Sequence, residues 1–260
     1  KESKKIFLEV IVVDQSVPEN YNELTKKFPK QINFKLNHFD KPNTCKCLNY
    51  GWQQAKAPIV LFLDDDVTLT DKTISEHINA YQDISILAVA GRVINDSEQI
   101  SKDCLVGKIF WYGAGFAQNF SFDKKTFVDF PYGCNMSFKK EIINSVGGFD
   151  EKLIPPIYGY NEVDLGYRIS KRWPSSIIFL PQALAYHHQY KRGGTRNDFK
   201  TEEIIKGNNF NYGYFLGKNF SWIENIICFC RRLPYQLIKE PKVITHILKG
   251  FKYAKKSYEK

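Results

Sequence analysis

Ile59-Val60-Leu61-Phe62-Leu63-Asp64-Asp65-Asp66 sets five consecutive apolar residues against three consecutive carboxylates. An unbroken apolar run of this length after Pro58 reads as a strand buried on both faces of a sheet. A strand that delivers carboxylates into a loop can offer oxygen ligands to a hard cation, Mg2+ or Mn2+. The competing reading is a solvated acidic turn that caps the next helix. Three adjacent like charges repel, which is costly for a turn alone and favours the cation site.

A second strand end carries the same signal. Leu8–Val13 is β-branched and apolar and stops at Asp14-Gln15-Ser16. Helical character follows over 21–28, a short strand near Asn33–Leu36, and a helix from Asn43 to Lys56 ahead of Pro58. Beyond the aspartates the pattern predicts a helix over Ile74–Tyr81 and a strand over Ile86–Ala90. Strands alternating with helices argue for an open, mostly parallel α/β sheet with helices on both faces. Ligands of such sheets bind beyond the carboxyl ends of the strands, where Asp14 and Asp64–Asp66 converge.

Residues 102–131 are aromatic and irregular and give no clear element. After Tyr132-Gly133-Cys134-Asn135-Met136-Ser137-Phe138, a helix is expected over Lys140–Val146, ending at Gly147-Gly148. Another begins near Glu162 and runs past Arg168. Glu162 at that helix start could take a proton from an acceptor hydroxyl. The alternative is an acid that complements the helix dipole, with Arg168 pairing to Asp164 one turn away. A strand over Ala183–His187 leads to His187-His188 and the basic turn Lys191-Arg192-Gly193-Gly194-Thr195-Arg196. One histidine, His187, could complete a metal shell. The turn, with Arg192 and Arg196, suits a diphosphate. No Gly-x-Gly-x-x-Gly follows either strand and no P-loop occurs, which argues against a dinucleotide dehydrogenase and a nucleoside triphosphatase.

The whole chain has 260 residues and a net charge of +9, of which +7 falls in the last thirty residues: nine Lys/Arg against Glu240 and Glu259. This tail points to an anionic surface. Val243, Ile244, Ile247, Leu248 and Phe251 fall on one helical face. They suit either an interfacial helix on lipid or a helix packed on the rest of the protein. No apolar run is long enough to span a membrane and no secretory signal opens the sequence, so the expected place is the cytoplasm, peripheral on the inner face of the cell membrane. The six cysteines include two Cys-x-Cys pairs, Cys45/Cys47 and Cys228/Cys230, whose default reading is reduced packed thiols rather than zinc. Basic residues are not interleaved with aromatics along a groove, so a nucleic-acid partner is not expected.

Taken in order, Glu9–Ser16, Lys46-Cys47-Leu48-Asn49-Tyr50-Gly51, Ile59–Asp66, Gly133–Phe138, Gly147-Gly148-Phe149-Asp150-Glu151 and Glu162-Val163-Asp164-Leu165 resemble glycosyltransferase family 2. The resemblance covers about residues 6–200. It implies a GT-A fold, a Rossmann-like mixed sheet flanked by helices. Residues 1–200 would form the catalytic domain and 201–260 a basic helical extension. It also implies an inverting, metal-dependent hexosyltransferase acting in cell-surface polysaccharide or glycolipid synthesis. The partners would be a nucleoside-diphosphate sugar and a glycan or lipid-linked acceptor. Carried over residue by residue, Asp14, Gln15, Lys46 and Asp65 would serve the donor nucleotide. Asp64 and Asp66 match the ends of the family's Asp-x-Asp, and Glu162 stands where the family has its catalytic carboxylate. Departures are Asn161-Glu162 in place of Glu-Asp, Gln15 in place of Asp or Asn, and a family strand and helix expected before Leu8 with no counterpart here. The rival readings are a nucleotidyltransferase on a similar sheet and an inactive sugar-nucleotide-binding fragment.

Overall fold

The computed structural model describes residues 8–15, 32–41, 43–96, 100, 102, 104–110, 116–155, 160–189, 200–239 and 241–258, without the side chains of 116–117 and 232–241. The helix expected over 21–28 lies outside these residues.

Strands β1 (Glu9–Asp14) and β2 (Asn33–His38) pair in parallel as a two-stranded sheet. Helix α1 (Thr44–Gln54) follows, its first turn closed by the Asn43 carboxamide, which accepts from the Lys46 N–H. Next come β3 (Ile59–Leu63), β4 (Val67–Leu69), α2 (Thr73–Ala80) and β5 (Ala88–Asn95). Among its described residues the aromatic stretch holds only short strands, β6 (Lys108–Ile109), β7 (Phe116–Ala117) and β8 (Thr126–Phe127). The chain continues through β9 (Asn135–Lys139), α3 (Lys140–Ser145), α4 (Tyr160–Arg172) and β10 (Ile177–His187), and ends in α5 (Thr201–Asn219), α6 (Trp222–Lys239) and α7 (Pro241–Tyr258).

The main sheet has the order β3-β9-β5-β10-β4, with β8 beside β10. Among the described residues only β5 and β10 run parallel in it, while β9 is antiparallel to both its neighbours. The expectation of a mostly parallel sheet is therefore corrected to a mixed one, in line with the fold the resemblance implies. The crossover-like alternation of elements misses that β9 turns back between β3 and β5. Among the described residues β1 pairs only with β2 and β3 only with β9. The two starts are tied by the Glu9 carboxylate, which accepts from the Lys56 and Ala57 N–H groups. The strand expected at 86–90 begins and ends later, at Ala88 and Asn95, because a turn with Asp83 capping Ser85 occupies its predicted start.

Side-chain alternation explains the layers. Met136, Phe138, Ala88, Ala90, Ile177 and Phe179 join the main core, to which α4 adds Val163, Leu165 and Ile169 and α5 adds Tyr214 and Leu216. Val89, Ile178 and Ala183 point the other way, into a smaller cluster covered by Ala80 and Tyr81 at the end of α2. On that second face β9 presents Asn135 and Ser137, which meet His77 of α2.

In the tail, α7 buries Val243, Ile247 and Ala254 against α5. The two backbones nearly touch. A Cβ at Gly213 would stand 1.9 Å from the Ile247 carbonyl oxygen, and one at Gly250 2.0 Å from that of Phe210. Packing on the protein thus takes up Val243 and Ile247 of the apolar face, while Leu248 stays exposed. Among the described residues no helix is long and apolar enough to cross a membrane.

Candidate active site

Register brings the site together. β10 pairs with β5 so that His187 lies opposite Asn95, and with β4 so that His187 lies opposite Val67, the residue after Asp66. β3 pairs with β9 so that Leu63, just before Asp64, lies opposite Asn135, just after Cys134. The ends of β3, β5 and β10 and the start of β9 thus share one edge of the sheet.

Asp66 is mostly buried and Asp64 half-exposed. Asp65 is exposed between them. His187 Nε2 lies 3.1 Å from Asp66 Oδ1 and 4.0 Å from Asp64 Oδ2. The imidazole is buried, and its Nδ1 is 2.9 Å from Asn95 Oδ1. A carboxamide oxygen only accepts, so that contact assigns the ring proton to Nδ1. Nε2 then turns a lone pair toward two carboxylates, and among the described residues it has no hydrogen-bond partner of its own. Lone pairs facing lone pairs in a buried place are unfavourable unless a metal cation, or a second ring proton on Nε2, lies between them. The donor set of carboxylates and imidazole, with Asn95 orienting the histidine from behind, fits a divalent ion. His188 does not join it, since its Nε2 is 2.8 Å from Thr68 Oγ1 and its Nδ1 faces Asp96.

Glu162 reaches the same place from the first turn of α4. It is buried, and its carboxylate accepts from the Gly133 N–H. A Cβ at Gly133 would stand 3.4 Å from Glu162 Oε1, in ordinary contact with it, so the two are close neighbours. Burial, with a smaller contribution from the Asp64 charge, pushes the Glu162 carboxyl up to about 7. The second acid of the motif has a different setting. Asp164 is clamped by Arg168 at 2.9 Å and Lys218 at 2.9 Å, as the helix-pair alternative expects.

Cys134, buried beside Asp64 and His187, was not singled out by sequence reasoning. Burial holds its thiol well above the ordinary range. The supporting residues were missed as well. Asn135 donates to the Arg92 and Ala183 carbonyls and accepts from His77, and a Cβ at Gly91 would stand 2.2 Å from its side chain. Asn49 bonds both the N–H and the carbonyl of Phe149, fixing the loop after the Gly147-Gly148 turn. The signal available was the asparagine inside each quoted motif.

The nucleotide candidates are more scattered. Asp14 ends β1, with its carboxylate 4.0 Å from His38 Nδ1. Gln15 accepts from the Asn43 N–H at the start of α1, and Lys46 is exposed in the first turn of that helix. Arg192 and Arg196 lie outside the described residues. The two Cys-x-Cys pairs build no metal cluster among the described residues; Cys45 and Cys228 are packed in the core.

This architecture is a GT-A-type mixed α/β sheet flanked by helices. A family model described as "Glycosyl transferase family 2" matches residues 1–147, more than half the sequence, and the chain belongs to that family. Similar solved structures share the GT-A fold. GalNAc-T7 with UDP, GalNAc and Mn2+ matches with TM-score 0.64 and 16% identity, over 96% of this chain and 50% of that one. The mannosyltransferase PcManGT from Pyrobaculum calidifontis, in complex with GDP-Man and Mn2+, matches with TM-score 0.57 and 15% identity, over 96% and 66%. S. aureus TarS 1-349 with UDP-GlcNAc matches with TM-score 0.55 and 11% identity, over 96% and 82%. This chain therefore spans half the length of GalNAc-T7. No curated protein sequence matches.

Proposed function

We propose that the chain is an inverting glycosyltransferase that moves a sugar from a nucleoside-diphosphate sugar to an acceptor hydroxyl. The observation that carries this is the meeting of the buried Glu162 with Asp64, Asp66 and an unsatisfied His187 Nε2 at one sheet edge. Family membership supports sugar transfer, and neighbours solved with UDP, GDP-Man or UDP-GlcNAc support a nucleotide sugar as donor. Mn2+ in two of them supports a divalent ion.

Asp64, Asp66 and His187 would hold Mn2+ or Mg2+. Such an ion offsets the charge on a departing nucleoside diphosphate. Asn95 keeps the proton on His187 Nδ1, so that Nε2 stays available. Glu162 takes the proton of the acceptor hydroxyl while the acceptor oxygen bonds to the anomeric carbon and the bond from that carbon to the diphosphate oxygen breaks. A carboxyl held near 7 matches this task, since a base works best close to the operating pH. Gly133 supplies the N–H that orients it.

In this reading residues 1–200 are the catalytic domain, with Asp14, Gln15, Lys46 and Asp65 on the nucleotide and Arg192 and Arg196 on the diphosphate. Residues 201–260 are the extension. The acceptor is a glycan or lipid-linked saccharide of cell-surface synthesis. A peripheral place on an anionic membrane rests on the basic tail and on the exposed Trp222, Ile223 and Ile226 of α6. The test is release of nucleoside diphosphate from a panel of UDP-, GDP- and dTDP-sugars with Mn2+. Turnover lost in Glu162→Gln supports the enzyme, and binding without turnover in the native chain supports the sugar-nucleotide-binding alternative instead.

A further inference from the structure

Cys134 precedes β9 on the loop whose position Asn135 fixes through its own three hydrogen bonds. Its side chain is 2% exposed. One ligand atom each from Asp64, Cys134 and His187 lie within 4.8 Å of one another. Donors bound to a tetrahedral ion at about 2.0–2.3 Å sit roughly 3.5 Å apart, so a small inward movement would close this triad on a metal. The independent sign of a ligand is His187 Nε2, buried, without a hydrogen-bond partner and aimed into the same space.

Asp64 and His187 are thus shared by two donor sets. With Asp66 they make an oxygen-rich set for a hard ion. With Cys134 they make a set of one nitrogen, one sulfur and one oxygen. Hard ions such as Mg2+ ignore sulfur, whereas Zn2+ and Co2+ take thiolate and imidazole together and in general bind mixed sites more tightly than Mn2+.

We propose that Cys134 is a metal ligand, and that Asp64, Cys134 and His187 form a thiophilic site for Zn2+-class ions overlapping the site for Mn2+ or Mg2+. On binding, the thiol proton leaves to water and a sulfur–metal bond forms, with no change of oxidation state. The overlap makes Zn2+ a competitor of the hard ion rather than its substitute, because the sulfur draws the ion away from Asp66. This proposal rests on the metal reading of the site given above.

The test is titration of the metal-free full chain with Co2+ under exclusion of oxygen, read by its absorption spectrum, with a parallel Mn2+ titration read by electron paramagnetic resonance. The expected result is a near-ultraviolet thiolate-to-cobalt charge-transfer band. Zn2+ should remove it by displacing Co2+. Cys134→Ser and Cys134→Ala, checked for folding by circular dichroism, should lack it. A Cys104→Ser/Cys230→Ser double variant, which removes the two exposed thiols, should keep it. If Co2+ and Mn2+ bind but no such band forms, or if the band survives in both folded Cys134 variants, the proposal is overturned and the metal reading stands. If the native chain binds neither ion, both are overturned.

Discussion

Replacing Glu162 by Gln keeps the size of the side chain and its ability to accept from the Gly133 N–H, and removes the ionisable group. The carboxyl rises from 4.5 to about 7 in the folded protein, chiefly through burial. Every tenfold weakening of an acid corresponds to about 1.36 kcal/mol, so holding this group in the fold costs about 3 kcal/mol once it is ionised. Below about pH 4.5 the acid is protonated whether folded or unfolded, and costs nothing. As pH rises toward 7 the unfolded chain ionises first and the fold loses stability, levelling off above 7. Glu162→Gln should therefore match the native chain at pH 4.5 and exceed it by up to about 3 kcal/mol at pH 8, measured by urea unfolding of metal-free protein. Turnover should move the other way, falling roughly a hundred- to ten-thousand-fold, as expected for loss of a general base. A variant that is equally stable at both pH values, or that turns over normally, would refute the account of this residue.

The buried His77 supplies an opposite slope. Burial lowers it from 6.5 to about 4, so stability is full above 6.5 and declines by about 3 kcal/mol as pH falls to 4; His77→Gln should lack that decline in unfolding experiments. Because this window overlaps that of Glu162, each variant is compared with the native chain rather than read alone. Asn95→Leu removes the acceptor that orients His187, and should weaken Mn2+ binding about 10- to 100-fold in a paramagnetic-resonance titration without unfolding the protein. Gly91→Ala drives a methyl group to 2.2 Å from the Asn135 side chain and should cost about 3 kcal/mol or more, seen as a lowered urea midpoint.

How much of this was legible beforehand follows the range of the interactions involved. β3 runs over the very residues of the apolar stretch, and α1, α2 and α4 fall within a residue or two of their expected places at their starts, because hydrophobic runs, caps and prolines are local signals. Asp64 and Asp66 drew notice as charges directly after an apolar run, while Glu162 could be read either way from its spacing and was singled out as catalytic only through the family resemblance. The direction of β9 was not legible, since five residues of Asn-Met-Ser-Phe-Lys do not say which strands they will lie between. For the same reason neither Cys134 nor His77 stood out in the sequence. Both acquire their roles only when β9 lies between β3 and β5, which brings residues about sixty positions apart into contact. The pairing of Arg168 with Asp164 was legible from its one-turn spacing, whereas the second claim on that carboxylate, by Lys218 of α5, was not.

The central claim is a metal-dependent donor-nucleotide site at Asp64, Asp66 and His187. Calorimetric titration of the chain with UDP, GDP and dTDP, with and without Mn2+, beside Asp66→Ala, tests it most directly. One nucleotide should bind, only in the presence of Mn2+, and Asp66→Ala should abolish that binding while remaining folded. Binding of equal strength without metal, or unchanged in Asp66→Ala, would contradict it.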